Sequence, residues 1–126
     1  MKKYVEAKPL CIEVYERRLR NCGSADSDTI SSLFGLATLY ENLNEFDTAL
    51  EHHQRCYDVR HVQKGPDNPE TFKSMHAIAV CLIKLGKRDT AKELLHKCLK
   101  RRRLVLGDEA DETMKTRKVL EESFPE

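Results

Sequence analysis

The stretch GPDNPET at residues 65–71 has two near copies in the same chain, GSADSDT at 23–29 and GDEADET at 107–113. The copies are evenly spaced, since 65 − 23 = 42 and 107 − 65 = 42. A fixed period of this length is typical of repeat proteins, in which each repeat is one supersecondary unit. The chain therefore divides into units of 42 residues without insertions.

Seven columns of this 42-residue alignment keep their residue type. They hold an alanine, a large apolar residue, an arginine, a glycine, an acid, a threonine and an aliphatic residue. The positions are Ala7, Ala49 and Ala91; Tyr15, Tyr57 and Leu99; Arg18, Arg60 and Arg102; Gly23, Gly65 and Gly107; Asp28, Glu70 and Glu112; Thr29, Thr71 and Thr113; and Leu36, Ile78 and Leu120. Chance could produce one or two such columns, but seven in one register indicate internal repetition.

Each unit contains two helical patterns separated by a break. The first pattern has apolar or small residues at spacings of three and four, at Leu33, Leu36, Ala37, Tyr40 and Leu43. The second has the same spacing, at Phe46, Ala49, Leu50, His53, Cys56 and Tyr57. Such spacings place the residues on one face of an α-helix. Asn44, and Gly86 in the next unit, interrupt the pattern, so each unit predicts a helical hairpin.

The quoted stretch is predicted to join one hairpin to the next. Gly65 ends the preceding helix, and the side chain of Asn68 can accept backbone N–H groups as an N-cap. Pro69 suits the first helical position, and Glu70 places negative charge at the positive end of the helix. The other two copies lack the prolines, so we expect weaker caps there.

Composition excludes several classes of function. The 22 basic and 21 acidic residues almost cancel to a net charge of +1, whereas a dedicated nucleic-acid binder is expected to be basic. No apolar run approaches the roughly 20 residues of a membrane span, and the N-terminus lacks the apolar core of a signal peptide. The five cysteines form no CxxC pair, which favours reduced thiols and a cytoplasmic location.

The hairpin segments at residues 33–57 and 75–99 resemble tetratricopeptide repeats. The family's small residues, its turn glycine and its late large residue map onto Ala37 and Ala79, Asn44 and Gly86, Ala49 and Ala91, Cys56 and Cys98, and Tyr57 and Leu99. The ordinary repeat is shorter, and a 42-residue version ending in a GPDNPET-like phrase looks like the kinesin light chain class. Where that class usually carries paired asparagines in the first helix of a repeat, this chain has Phe34 and Gly35, then His76 and Ala77.

The resemblance implies an all-α, right-handed solenoid of helical hairpins with about six antiparallel helices. In this register one domain over 1–126 comprises a lone second helix at 1–22, full hairpins at 29–64 and 71–106, and a capping helix at 113–124. Arg117 and Glu121 stand where earlier units have apolar or small residues, which is expected of a polar terminal helix. The resemblance also implies a protein-interaction scaffold that is not an enzyme and needs no cofactor.

Other candidate sites are weaker. His53 and Cys56 can share a helical face with His52 nearby, but a structural zinc site needs four ligands, and Cys56 holds a core position. The acidic stretch 107–112 lacks the ligand spacing of a calcium loop. The basic run at 97–107 could bind nucleic acid or act as a nuclear-localisation signal. Alternatively, Arg102 complements the helix dipole and the rest of the run is a solvated face. No nucleophile has a base and an orienting group within reach, so the chain predicts no catalytic site and no metal site.

The resemblance places a ligand groove on the second, fifth, ninth and twelfth positions of the first helix of each repeat. These positions are Ser31, Phe34, Thr38, Glu41, Lys73, His76, Val80, Ile83, Lys115 and Lys118, together with Glu122 in the terminal helix. The lysines among these positions all lie in the C-terminal half of the chain. We therefore predict that the groove binds an extended acidic peptide or partner segment. Lys73, His76, Lys115 and Lys118 would act by charge, and Phe34 and Val80 would receive apolar side chains.

Three alternatives to this reading stay open. The segment could be a structural spacer or self-association piece of a larger repeat protein, forming a homo-oligomer through its exposed N-terminal helix. An RNA-binding helical repeat would show steep salt dependence, but the first helices lack stacking aromatic residues, so nucleic acid is an unfavoured partner. An enzyme is the weakest of the three, and no membrane role is expected.

Overall fold

The computed structural model describes residues 1–125, and within them every regular element is an α-helix. The helices are α1 (Lys2–Cys22), α2 (Ser27–Asn42), α3 (Phe46–Lys64), α4 (Pro69–Lys84), α5 (Arg88–Leu106) and α6 (Asp111–Ser123). The all-α class and the number of six helices, both predicted above, are confirmed.

The chain divides into two compact units, Met1–Val59 and Arg60–Glu126, with the boundary inside α3. The first unit holds α1, α2 and most of α3, and the second holds the end of α3 with α4, α5 and α6. The prediction of a single domain with a lone first helix, two full hairpins and a capping helix stays a prediction.

The first unit is built around α2. This helix buries seven residues, whereas α1, which packs against it, buries none. The core cluster consists of Ile30, Leu33 and Cys56, and it is flanked by half-buried Tyr15, Phe34 and Val59. The thiol of Cys56 donates to the backbone oxygen of Ile30 at 3.9 Å, which ties α3 to the start of α2.

The second unit packs α4 against α5 and α5 against α6. Its core cluster is Ala79, Leu95, Leu99 and Leu120, with Ile83, Leu94, Val119 and Phe124 packed around it. Ala79 on α4 and Ala91 on α5 are both fully buried. Small side chains at these positions let neighbouring helices approach closely.

Side-chain caps fix two of the helix starts. The amide oxygen of Asn68 accepts the backbone N–H of Glu70 at 2.9 Å, and Pro69 opens α4, as predicted. Asp26, one period earlier, accepts the N–H groups of residues 28 and 29 at 3.0 and 3.3 Å. The expectation of a weaker cap is therefore not met at α2. At α6 it is met, because Ala110 occupies the cap position and offers no side-chain acceptor.

Glycines in a backbone conformation reserved for them end α1 and α5. Gly23 has φ 88° and ψ 165°, and Gly107 has φ 92° and ψ 162°. A residue with a Cβ atom is strained in this region. The turn between α2 and α3 instead uses Asn44, at φ 62°. The equivalent turn of the next repeat, between α4 and α5, uses Gly86 at φ 82°. Asparagine is among the few other residues that tolerate a left-handed conformation.

Candidate binding surface and arginine joints

An arginine ties each long helix to the start of the next one. We call this arrangement an arginine joint. It consists of the arginine, a backbone oxygen ten residues further on and a side-chain hydroxyl fourteen residues further on. In the third joint, Nη1 of Arg102 donates to the backbone oxygen of Glu112 at 2.9 Å and to Oγ1 of Thr116 at 2.6 Å. Nη2 lies 3.4 Å from Oε2 of Glu112.

The second joint repeats these contacts 42 residues earlier. Nη1 of Arg60 donates to the backbone oxygen of Glu70 at 3.4 Å and to Oγ of Ser74 at 2.9 Å. Its Nη2 pairs with Oε1 of Glu70 at 3.3 Å. Arg60 is only 6% exposed and Arg102 only 2%. A buried guanidinium is stable in such a setting because its N–H groups meet a carboxylate, a carbonyl and a hydroxyl.

The first joint has the same plan but lies at the surface. Arg18 is exposed, and its Nη1 donates to the backbone oxygen of Asp28 at 3.2 Å and to the hydroxyl of Ser32. Within residues 1–125 Arg18 makes no ion pair with Asp28. The aspartate is one methylene shorter than Glu70 and Glu112, so its carboxylate reaches less far.

Sequence reasoning missed these joints. Arg102 was expected to complement a helix dipole, but it is nearly fully buried and bonded to the next helix. The prediction failed because arginine is rarely buried unless it is paired. A signal was present: the arginine column is followed, fourteen residues on, by a hydroxyl column of Ser32, Ser74 and Thr116.

Two predicted groove lysines of the second unit, Lys73 and Lys115, stabilise the charged form of the Glu112 carboxylate. Nζ of Lys115 donates to Oε1 of Glu112 at 2.9 Å. This hydrogen bond, together with the positive charges of Lys115, Arg102 and Lys73, holds the pKa of Glu112 below its ordinary value. Lys73 and Lys115 are both exposed and stand one period apart, on α4 and α6. The lowered pKa shows that the charged form of Glu112 is stabilised, first by the hydrogen bond from Lys115 and then by the nearby positive charges.

His76 of α4 is half-buried and reaches the third arginine joint. Its Nδ1 lies 3.1 Å from Oγ1 of Thr116, the hydroxyl that also accepts from Arg102. Thr116 is fully buried. The imidazole of a predicted groove residue is therefore connected through one hydroxyl to a buried guanidinium.

The remaining predicted groove residues of the second unit differ in exposure. Val80 is half-buried on α4, while Ile83 packs against the core cluster around Ala79 and Leu95. Lys118 is exposed on α6. Lys115 and Lys118 border a surface hollow of about 700 Å³ that is lined by α6 alone, through Asp111, Glu112, Met114, Lys115, Arg117, Lys118 and Glu121.

In the first unit, the predicted groove residues mostly contact their own neighbours. The ring of Phe34 meets the ring of His53 edge-on, with centroids 4.9 Å apart. The carboxylate of Glu41 accepts from Nε2 of His53 at 2.6 Å. Thr38 is exposed and its hydroxyl donates to the backbone oxygen of Phe34 at 3.1 Å, while Ser31 is exposed.

The histidine–cysteine cluster of α3 lies in packed surroundings. His53 and Cys56 are both fully buried, and His53 is paired with Glu41. Burial lowers the pKa of His52, whose Nδ1 lies 2.8 Å from the backbone oxygen of Thr48. On α5, burial raises the pKa of the Cys98 thiol, which disfavours the reactive thiolate.

The basic run at 97–107 is largely paired with acids. Arg101 pairs with Asp67, Arg102 with Glu112, and Arg103 Nε with Asp108 Oδ1 at 3.1 Å. Arg117 also approaches Asp108, at 3.6 Å. Guanidinium groups already bonded to carboxylates have less to offer to phosphates, so this geometry favours the structural interpretation of the run over the nucleic-acid one.

Comparisons with known proteins agree with the repeat pattern. The family model described as tetratricopeptide repeat matches residues 1–61 and 43–103. A search of curated proteins gives no match. Two solved structures of a Podosopora anserina protein named for kinesin light chain, with nearly identical TPR-like repeats, are similar to this chain at a TM-score of 0.89 and 19% identity.

These matches cover 98% of this chain and 58% of those chains. One of the two structures carries a single substitution. At this identity the likeness shows the fold, which is a solenoid of the tetratricopeptide type. In the part of the chain that the structure describes, none of the helices has the length and apolar character needed to cross a bilayer.

Proposed function

Because the chain belongs to the tetratricopeptide repeat family, whose repeats generally mediate protein–protein interaction or scaffolding, we propose that it binds an extended acidic segment of a partner protein. The binding surface is formed by α4 and α6 of the second unit, with Lys73, His76, Lys115 and Lys118 facing the acidic groups. The α2 positions Ser31, Phe34, Thr38 and Glu41 belong to the first unit and stay a separate prediction. The chain acts without cofactor, and a cytoplasmic location stays part of this proposal.

One observation carries the proposal: Lys73 and Lys115 are both exposed, one period apart on α4 and α6, and Lys115 already binds a carboxylate of the chain, that of Glu112, at 2.9 Å. A carboxylate that is already part of the protein is thus stabilised in its charged form by Lys115, Arg102 and Lys73. A carboxylate brought by a partner to the exposed side chains of Lys73 and Lys115 would be attracted by the same two lysines. Lys118, one helical turn from Lys115, lengthens this positive surface along α6.

Apolar contacts are expected to supplement charge. Val80 lies two turns from Lys73 on α4 and is half-buried, so it retains surface for an apolar side chain of a bound peptide. Exposed ion pairs alone contribute only about 0.2–1 kcal/mol each. The proposed ligand therefore alternates acidic and apolar residues, and its affinity falls as salt rises.

The test is fluorescence anisotropy with two labelled dodecapeptides of equal length, one alternating glutamate and leucine and the other alternating lysine and leucine. We expect the acidic peptide to bind and the basic one not to bind. Lys73→Glu should weaken binding by at least about 5-fold, because it reverses a charge at the surface. Lys97→Glu, at an exposed position of α5, is the matched control and should have little effect.

Equal binding of both peptides, or equal loss with the two lysine variants, would contradict the proposal. It would mean that net charge, and not the surface on α4 and α6, governs the interaction.

A second candidate function is self-association through α1, and one observation favours it. Four apolar residues of α1 are exposed: Tyr4 by 37%, Val5 by 55%, Leu10 by 63% and Val14 by 37%. Leu10 and Val14 lie about one helical turn apart, and neighbouring exposed apolar side chains can mark an interaction site. Sedimentation velocity on the 126-residue chain and on Leu10→Lys tests the idea. A concentration-dependent dimer that Leu10→Lys abolishes supports it, and a monomer at high concentration rejects it.

A further inference from the structure

We propose that α1 binds an amphipathic helix of a partner protein, one that carries an alanine among large apolar residues as α2 and α4 do. The surface that receives this helix, here called the docking stripe, consists of Lys3, Ala7, Leu10, Val14 and Arg17. These residues are spaced by four, three, four and three positions, so they share one face of α1. The docking stripe lies in the first unit and is independent of the acidic-peptide surface of the second.

The docking stripe has counterparts in α3 and α5, one and two periods later. In both counterparts the alanine and the residue seven positions after it are 0% exposed. These residues are Ala49 and Cys56 in α3, and Ala91 and Cys98 in α5. In α1 the same columns hold Ala7, which is half-buried, and Val14, which is 37% exposed, with Leu10 between them at 63%. One face is therefore covered in two helices and open in the third.

The contacts of the two cysteines identify what covers the counterparts. The thiol of Cys56 donates to the backbone oxygen of Ile30 at 3.9 Å, and the thiol of Cys98 donates to that of Phe72 at 3.6 Å. Ile30 lies near the start of α2 and Phe72 near the start of α4. Each counterpart is thus covered by the helix that precedes it in the chain. By the same columns, the helix that covers α1 begins beside Val14.

The covering helices define the residues that the partner helix needs. Both have large apolar residues at a first position and three, six and ten positions later, with an alanine at the seventh. All ten residues are buried. They are Ile30, Leu33, Leu36, Ala37 and Tyr40 in α2, and Phe72, Met75, Ile78, Ala79 and Leu82 in α4. The alanine is the most restrictive position, because both alanines are 0% exposed and a larger side chain would hold the two helices apart.

A second copy of the chain fits this description poorly. Its α6 carries Arg117 and Glu121 in the columns of Leu33 and Ala37, and charged groups are costly at buried positions. Its α2 and α4 already bury these residues inside their own units.

Two α1 helices paired with each other would also bring like charges together. In an antiparallel pair centred on Leu10, Lys3 of one copy lies beside Arg17 of the other, and in a parallel pair each cation meets its own equivalent. Like charges in such positions are destabilising. The charge pattern of the docking stripe therefore favours a partner helix over the self-association considered above.

The probe is a fluorescein-labelled peptide that copies residues 68–85, which comprise α4 with its cap. A side-chain bridge between positions 73 and 77 keeps the peptide helical. These positions lie opposite Met75 and Ala79, because two residues turn a helix by about 200°. Binding to the 126-residue chain is followed by fluorescence anisotropy, and we expect a saturable signal. No binding at the highest soluble concentration of the chain would overturn the proposal.

Two variants of the chain locate the peptide. Val14→Glu places a charge in the docking stripe and should weaken binding by at least about 10-fold. Val5→Glu is the matched control, since Val5 is 55% exposed and lies nine residues, or two and a half turns, from Val14. It should change the affinity by less than about 2-fold. If circular dichroism shows that Val14→Glu loses helix, Leu10→Glu takes its place.

A variant of the peptide tests the alanine. Ala79→Glu gives the peptide the residue that α6 has in this column, and it should weaken binding by at least about 10-fold. Binding that is equally strong with this variant, or equally weak with Val14→Glu and Val5→Glu, shows that the peptide is held elsewhere and overturns the proposal.

The remaining outcomes separate this inference from the other proposals. Sedimentation velocity that shows a dimer, disrupted by Val14→Glu, together with no binding of the α4 peptide, identifies a second copy as the occupant and overturns the partner helix. The affinity for the alternating glutamate–leucine peptide should not change in Val14→Glu. A loss of that affinity would mean that the acidic peptide occupies the docking stripe, which contradicts both assignments.

Discussion

The first and third arginine joints use the same contacts in different surroundings. Both place Nη1 of an arginine between a backbone oxygen ten residues on and a hydroxyl fourteen residues on. Arg102 is 2% exposed and paired with Glu112, whereas Arg18 is exposed and has only the shorter Asp28 beside it. One arrangement of residues is therefore expected to contribute very different amounts of stability.

The difference indicates that the same residues in two repeats need not contribute equally to the free energy of unfolding. Hydrogen bonds to a charged group are worth more when solvent is excluded, and breaking a buried pair leaves groups that water cannot reach. Around Arg18 water can replace each lost contact. The helix that Arg18 belongs to, α1, also has no buried residue, so α1 should open before the helices of the third joint.

The largest expected effect comes from removing the guanidinium. Arg102→Met should lower the local free energy of opening of α5 and α6 by about 2–4 kcal/mol, because it strands a buried hydroxyl and a carbonyl. Arg18→Met should cost α1 and α2 less than about 1 kcal/mol. Native-state hydrogen exchange measures both. Equal losses at the two joints would break the comparison.

Substitutions of the glycines that end α1 and α5 should, in contrast, lower stability by similar amounts. Gly23→Ala and Gly107→Ala place a Cβ in nearly the same disfavoured backbone conformation, and at both positions the new atom meets no neighbour within 4 Å. Each should therefore cost about 1–3 kcal/mol from backbone strain alone. Hydrogen exchange of the flanking helices checks this, and a clear inequality would show that burial matters even for the glycines.

A smaller effect is expected from lengthening the acid of the first joint. Asp28→Glu gives Arg18 the side chain that Arg60 and Arg102 already have nearby. Protection of α1 should rise by about 0.5 kcal/mol, which is a usual value for an exposed ion pair, and it should fall again in high salt. Glu16→Asp, an exposed change of one methylene within α1, is the control. If protection of α1 does not rise, the length of the Asp28 side chain is not what prevents an ion pair with Arg18.

The smallest effect is a dependence on acid, because solvent screens the partly exposed carboxylate of Glu112. Its pKa is lowered on folding, so its contribution is present above the ordinary value of 4.5 and is lost as pH falls through the lowered one. Wild type should thus lose more melting temperature between pH 5 and pH 3, roughly the range of carboxyl titration, than Glu112→Gln. Glu109→Gln is the matched control. Parallel curves for wild type and Glu112→Gln would contradict the expectation.

Much of the fold could be predicted because it depends on periodic features. The helical stripes, the small residues Ala79 and Ala91, and the cap at Asn68 all follow from spacing and residue type. The capping role of Asp26 was not predicted although it stands one period before Asn68, because the absence of prolines in this copy of the repeat indicated a weaker cap.

The candidate site was less accessible to sequence reasoning. The position of His76 in its helix was predictable, but its contact with Thr116 spans 40 residues and depends on how α4 meets α6. The burial of Arg102 depends on the helices and acids around it and cannot be predicted from the residue type, because most arginines are exposed. Phe34 was expected to receive a ligand's side chain, yet its ring already meets His53, which comes from a separate helix.

The arginine joints also bear on the order in which the chain can fold. Each joint connects residues only 10 and 14 positions apart, so closing it restricts a short loop and costs little chain entropy. Proteins dominated by such near-neighbour contacts fold quickly. A joint can therefore form as soon as the first turns of the next helix leave the ribosome, and the repeats are suited to assembly from the N-terminus onward during synthesis.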